Sequence, residues 1–285
     1  MIQAVFPTLP GRFPRLILVV MAVIAICCSP LRAAERDKIQ AFLKVTGFDV
    51  ALDSIAFSAA SAPDMLGIDP GVFGSEWTRL TGEVFDPEAM RNLALDILEN
   101  TLSDEALGHA AGFYASDLGQ RLVEAENASH MMEDDALKDR EGMALLEQMR
   151  EDGSDRAALL QRMNAAIDSS GFGLRALQEI QIRFLTAASA VGVIELRIDP
   201  DELRATIREN EDELRAALEF SALTGAAYTY QDFPDSDVLA YTEALEDPLM
   251  QEVYELLNAV QYEIMGNRFE QLARRMSELQ PGTDL

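Results

Sequence analysis

Apolar residues in this chain recur at steps of three and four, and that period restricts it to helices packed on helices. Leu249, Val253, Leu256, Val260 and Ile264 make one such stripe. Phe269, Leu272, Met276 and Leu279 resume it past Gly266-Asn267, where a kink is expected. The starts of these segments are chemically marked. Asp86-Pro87-Glu88 places a capping carboxylate before a proline whose missing N–H costs nothing in the first turn. Asp199-Pro200-Asp201-Glu202 repeats the device and adds an acid three residues after the cap, as a capping box requires. Ser103-Asp104-Glu105 and Pro234-Asp235 are further starts, and Gly47, Gly153 and Gly171 punctuate helix ends. No stretch reads as a strand pair, so the fold class is all-α. Ser61 to Gly74, with Pro63, Pro70 and three glycines, reads as a long connection.

The N-terminal stretch speaks to compartment. Arg12 and Arg15 precede an unbroken apolar run from Leu16 to Ile26, Ser29-Pro30 ends it, and small Ala33 and Ala34 stand before the charged Glu35-Arg36-Asp37-Lys38. Positive, apolar, breaker, small is the order of a secretory signal peptide over residues 1–34, with cleavage near Ala33 or Ala34 and a periplasmic or secreted product expected. The run is about half of the ~20 residues a spanning helix needs. Cleavage removes Cys27 and Cys28, the only cysteines, so the mature chain has neither disulfide nor thiolate metal site. It also removes Arg12, Arg15 and Arg32, leaving 20 basic residues against 49 acids, a net of −29. Such a surface repels phosphate backbones and anionic headgroups, which excludes nucleic acid and anionic membrane as partners. Another envelope protein stays open as a partner, and the sequence does not set the oligomeric state. A hydrophobic content of 48% still demands a packed core rather than a disordered acidic tail.

An internal repeat organises the rest. Residues 102–128 align without a gap on 233–259, 131 residues later, with identities at Asp104/Asp235, Leu118/Leu249, Gln120/Gln251, Glu124/Glu255, Asn127/Asn258 and Ala128/Ala259. Each copy reads as a helix, a short polar junction and a second helix. Two copies are too few for a solenoid, so two related lobes are expected, 35–131 and 132–285. The segment Phe113-Tyr114-Ala115-Ser116-Asp117-Leu118-Gly119-Gln120-Arg121-Leu122, preceded by Leu102-Ser103-Asp104-Glu105, resembles the bacterial proteins grouped as domain of unknown function 2059. The second copy is a degenerate match, with Ala244-Leu245 for the aromatic pair and Met250 for the glycine. The resemblance implies an exported helical protein and supplies no functional residues.

Chemistry is sparse. Cofactors and metals are not expected: His109 and His130 are the only histidines, and they stand twenty-one positions apart. A calcium loop at Asp235-Ser236-Asp237 fails at Leu239 and Ala240, where an oxygen ligand and a glycine are required. Gly171-Phe172-Gly173-Leu174-Arg175-Ala176 spells a dinucleotide turn but lacks the strand before it, and reads as a helix-helix turn. No nucleophile elbow occurs, and no lysine lies three residues after a serine. One polar set stands out. On a helical wheel Gln120, Glu124 and Asn127 lie opposite Leu118, Leu122 and Ala125, and all three recur as Gln251, Glu255 and Asn258. They are the candidate binding residues, as a buried hydrogen-bonded contact or as a ligand surface presented twice. No catalytic residue is identified. The reading is a non-catalytic binding or scaffolding protein of the cell envelope. The competing reading is a hydrolase using carboxylates, such as Glu124 or Glu255, in a cleft between lobes.

Overall fold

The computed structural model describes residues 35–68, 74–277 and 279. The expected signal peptide lies outside them. Among the described residues there is no strand, and no helix is long and apolar enough to cross a membrane.

A first helix, α1 (35–46), leads into α2 (Phe48–Ser54), a 3-10 turn (Ile55–Ser61) and α3 (Ala62–Leu66). Ser61 to Leu66 is therefore helical, where a long connection was expected. Pro63 sits in the first turn of α3, where its missing N–H breaks no bond, and Gly67 caps the end. There follow α4 (Gly74–Val84), α5 (Pro87–Thr101), α6 (Asp104–Tyr114), α7 (Asp117–His130), α8 (Asp135–Glu151), α9 (Arg156–Ile167), α10 (Phe172–Ala190), α11 (Pro200–Glu209), α12 (Glu211–Thr229), α13 (Asp235–Leu245) and α14 (Pro248–Met276).

The caps work as their chemistry dictates. Asp86 Oδ2 accepts from Ala89 N at 2.8 Å, Ser103 Oγ from Ala106 N at 3.2 Å and Ser116 Oγ from Gly119 N at 3.1 Å. Asp199 and Glu202 close a full capping box on α11. Gly171 does open a helix-helix turn: its φ of +59° is the left-handed conformation glycine reaches freely, and Asp168 then accepts from Phe172 N and Gly173 N on the far side.

The 29-residue α14 is the common support. It lies along α10 and also meets α4, α5, α6, α9 and α13. The helix is continuous through Gly266-Asn267. Gly266 gives room to a neighbour: a Cβ there would stand 2.7 Å from Arg183 Nη1, whose guanidinium pairs with Glu263 on the same helix at 3.0 Å. Beneath α14 one contiguous apolar core runs from Ile39 to Met276. Its aromatic centre is Phe269, edge-on to Phe85 at 5.5 Å and to Phe184 at 5.3 Å.

The helix ends of the two aligned segments agree residue for residue. Asp104 and Asp235 start α6 and α13, Tyr114 and Leu245 end them, and Asp117 and Pro248 start α7 and α14, each pair 131 positions apart.

Candidate functional site

The side chains aligned by the helix pairs converge on a cavity of about 290 Å³. α7 presents Glu126, Asn127 and His130 to it, and α14 presents Leu257, Asn258 and Gln261. These six are three aligned pairs, so corresponding faces of α7 and α14 look at one another across the space. Helices α1, α2, α6, α9, α12 and α13 complete the walls, and exposed His130 and Ala222 mark where solvent reaches it.

Its polar interior is made of tyrosine. Four of the chain's six tyrosines line the cavity. Tyr114 at the end of α6, Tyr241 on α13 and Tyr254 on α14 bring three hydroxyls into mutual hydrogen bonding. Tyr114 and Tyr241 are 3.0 Å apart and Tyr241 and Tyr254 2.8 Å, with Tyr114 also bonded to Tyr254. Tyr230 donates to Glu126 Oε1 at 2.7 Å. The rings are held by packing: Phe113 stacks on Tyr241 with planes 9° apart, and Tyr230 leans on Tyr241 at 6.1 Å. Burial pushes all four phenols well above their ordinary range, so they stay protonated donors. Burial also raises the Glu126 carboxyl, against the pull of the Tyr230 and Tyr241 hydroxyls. The site thus resists charge and offers hydroxyl donors and acceptors.

The six residues expected from the repeat divide. Asn127 and Asn258 both line the cavity. Asn258 Nδ2 donates to the Ile167 carbonyl, the last residue of α9, at 2.9 Å. Asn127 Oδ1 is buried against Gly47 without a hydrogen-bond partner. Gln120, Glu124, Gln251 and Glu255 line none of it. Gln120 Nε2 donates instead to the Tyr114 carbonyl at 2.5 Å, closing the end of α6. Glu124 and Glu255 are exposed, and Gln251 is half-buried.

The wheel reading of α7 is off by about a quarter turn. Its buried side is Gly119, Leu122 and Val123, continued by Glu126 at the cavity, rather than Leu118, Leu122 and Ala125. Gly119 is the contact residue because a Cβ there would stand 2.6 Å from Tyr114 Cα. A hydrophobicity count gives glycine no weight as core and scores Glu126 as surface. The tyrosine cluster escaped sequence reasoning for a related reason, since isolated aromatics on separate helices read as core. The available signal is positional: no tyrosine precedes Tyr114.

Residues 88–148 match the family described as uncharacterized protein conserved in bacteria (DUF2059). That stretch spans α6 and α7 and includes Tyr114, Glu126 and Asn127 of the cavity. No curated protein and no solved structure matches the chain.

Proposed function

We propose that this chain is an exported, non-catalytic binding protein of the cell envelope, built on two related helix pairs, whose ligand is a small uncharged molecule bearing hydroxyl groups. The observation that carries the reading is the hydroxyl cluster of Tyr114, Tyr241 and Tyr254 beside the Tyr230–Glu126 pair, lining a cavity that reaches solvent. A charged ligand would pay desolvation there with no fixed countercharge. A hydroxylated one exchanges bonds with donors that are already oriented. The unpartnered Asn127 Oδ1 adds an acceptor that a ligand or a water would satisfy. The matching helix boundaries of α6–α7 and α13–α14 support two copies of one unit enclosing the site. Hydrolysis by paired carboxylates has less support, because Glu126 is the single acid among the lining residues.

The test uses phenol and glucose as probes, followed by NMR of the tyrosine rings. Saturable shifts confined to Tyr114, Tyr230, Tyr241 and Tyr254 are expected for at least one probe, and Ala222→Trp at the opening should abolish them. Ring signals unmoved by both probes at ~50 mM, well beyond ordinary small-molecule affinities, would overturn the reading. Export is tested separately by fractionating the host: a species lacking the first ~33 residues belongs in the periplasm or medium. Full-length protein in the inner membrane would sink that part.

A further inference from the structure

A second cavity, of about 470 Å³, lies on another side of α14, between α10, α11 and the start of α12. Its chemistry is opposite to that of the first. In a chain whose acids outnumber its cations by 26, five arginines line this one space: Arg175, Arg183, Arg204, Arg208 and Arg215. Three acids line it with them, Glu179, Glu211 and Glu263. Arg183 is paired with Glu263 at 3.0 Å and Glu270 at 3.1 Å, Arg204 with Asp201 at 3.3 Å, and Arg215 with Glu211 at 2.8 Å. Arg175 and Arg208 have no carboxylate partner among the described residues. Arg175 makes only a 3.3 Å bond to the Ser170 carbonyl.

The second observation is Gln178. It is 8% exposed, it lines the cavity, and its Nε2 is buried with no acceptor. A buried amide donor left unmade is costly, and native proteins keep one where something else supplies the acceptor. Two uncommitted guanidiniums and an orphaned amide N–H are all donors, and what satisfies them is an oxyanion. The remaining wall is apolar, with Phe172, Ile180, Ile182, Ile207 and Tyr262. The space is within the range of small-molecule sites.

We infer that the cavity between α10, α11 and α12 binds a small organic anion, a carboxylate or phosphate head on an apolar body, with Arg175 and Arg208 meeting the head and Gln178 donating to it. The net −29 expected of the exported chain disfavours polyanions at its surface at long range. It does not disfavour one small anion in a concave site, because field lines focus where cations line a low-dielectric wall. This site does not rest on the tyrosine cavity and shares none of its lining residues.

Calorimetric titration of the full mature chain tests it, at constant ionic strength, with phenyl phosphate and phenylacetate as probes. Inorganic phosphate supplies the head alone and phenol the body alone. Saturable binding of phenyl phosphate or phenylacetate is expected, and whichever binds the tighter names the head. Each of Arg175→Ala and Arg208→Ala should weaken it about tenfold, the worth of one charge-assisted bond. Arg150→Ala, on the remote α8, should leave it unchanged. Both lining arginines are exposed and unpaired, so their removal leaves the fold intact. Gln178→Leu gives the readout that a purely structural role cannot imitate: the free protein should melt higher, because the orphaned donor is gone, while the probe binds more weakly. Absence of saturable binding by both probes at ~10 mM, equal loss with Arg150→Ala, or an undiminished affinity in Gln178→Leu would each overturn the proposal. Phenol as effective as phenyl phosphate would overturn it too, since the head would then count for nothing.

Discussion

The pair α6–α7 and the pair α13–α14 share three helix boundaries, with α14 running on to Met276 where α7 stops at His130, and they divide the labour of the cavity between them. At the junction, the first pair has Gly119 and the second has Met250, fully buried. Facing the tyrosine cluster, the first has Ala110, Tyr114, Val123 and Glu126 where the second has Tyr241, Leu245, Tyr254 and Leu257. Bulk on one side answers its absence on the other. Two equal helix pairs packed face to face would place a tyrosine against a tyrosine at every level and fill the space. Exchanging large for small at aligned positions lets three hydroxyls meet while a void survives beside them. The aligned segments share the start of each helix, and the positions where they differ supply Tyr114, Glu126, Tyr241 and Tyr254 of the cavity.

The junctions should show the largest effects. Met250→Ala should cost about 2–5 kcal/mol as a buried cavity, and Gly119→Ala about 1–3 kcal/mol, because its Cβ meets backbone that has nowhere to go. Denaturant midpoints measure both. If Gly119→Ala is neutral, the α6–α7 junction is as loose as its counterpart and the contrast fails.

The hydroxyl triangle comes next. Tyr114→Phe and Tyr241→Phe, one from each pair, should each cost about 1–3 kcal/mol by leaving buried hydroxyls short of a partner. The double variant should cost less than the sum, because the two groups bond each other. Strict additivity would mean that the pairs do not communicate through the cluster.

The two asparagines, identical in sequence, should differ. Asn258→Ala strands the Ile167 carbonyl and should cost about 1 kcal/mol. Asn127→Ala removes a group that has no hydrogen bond on its buried oxygen and should stay within about 0.5 kcal/mol. Equal losses at both would make the copies equivalent after all.

The smallest effect is in pH. Burial raises the Glu126 carboxyl in the folded chain above its unfolded value. The folded state therefore holds its proton longer, and the stability this contributes is complete below the unfolded value and is lost as pH rises through the folded one. Glu126→Gln cannot lose that proton. Plotted against pH, the variant's stability relative to the natural chain should climb across that window and then level off. A flat difference would mean that Glu126 is solvated and the cavity is wetter than the tyrosines imply.

How legible all this was depends on the range of the forces involved. The starts of α5, α6 and α11 could be read directly, since a cap is a contract between residues two or three apart. The alignment at an offset of 131 residues also placed the matching boundaries of α6, α7, α13 and α14, since these too are set by neighbouring residues. The rotation of α7 was not legible, because its inward side is set by a glycine's lack of volume and by an acid whose carboxyl burial raises. Tyr114 and Tyr241 stand 127 positions apart, and no local pattern joins them. The arginine cavity hid for a further reason: on α10, α11 and α12 each of its cations looks like an ordinary solvated residue until the three helices are assembled.

The long α14 also sets a clock. Packed on α4, α5, α6, α9, α10 and α13, it cannot release its amide protons to solvent without the whole molecule coming apart, so its middle turns should exchange only on the timescale of global unfolding. The ten-residue α11 leans chiefly on α10 and buries little beyond Leu203. Its amides should exchange far sooner, through local opening that leaves α14 in place. The wall that closes the arginine cavity is thus the part of the molecule that breathes first, while the wall it closes against is the part that breathes last.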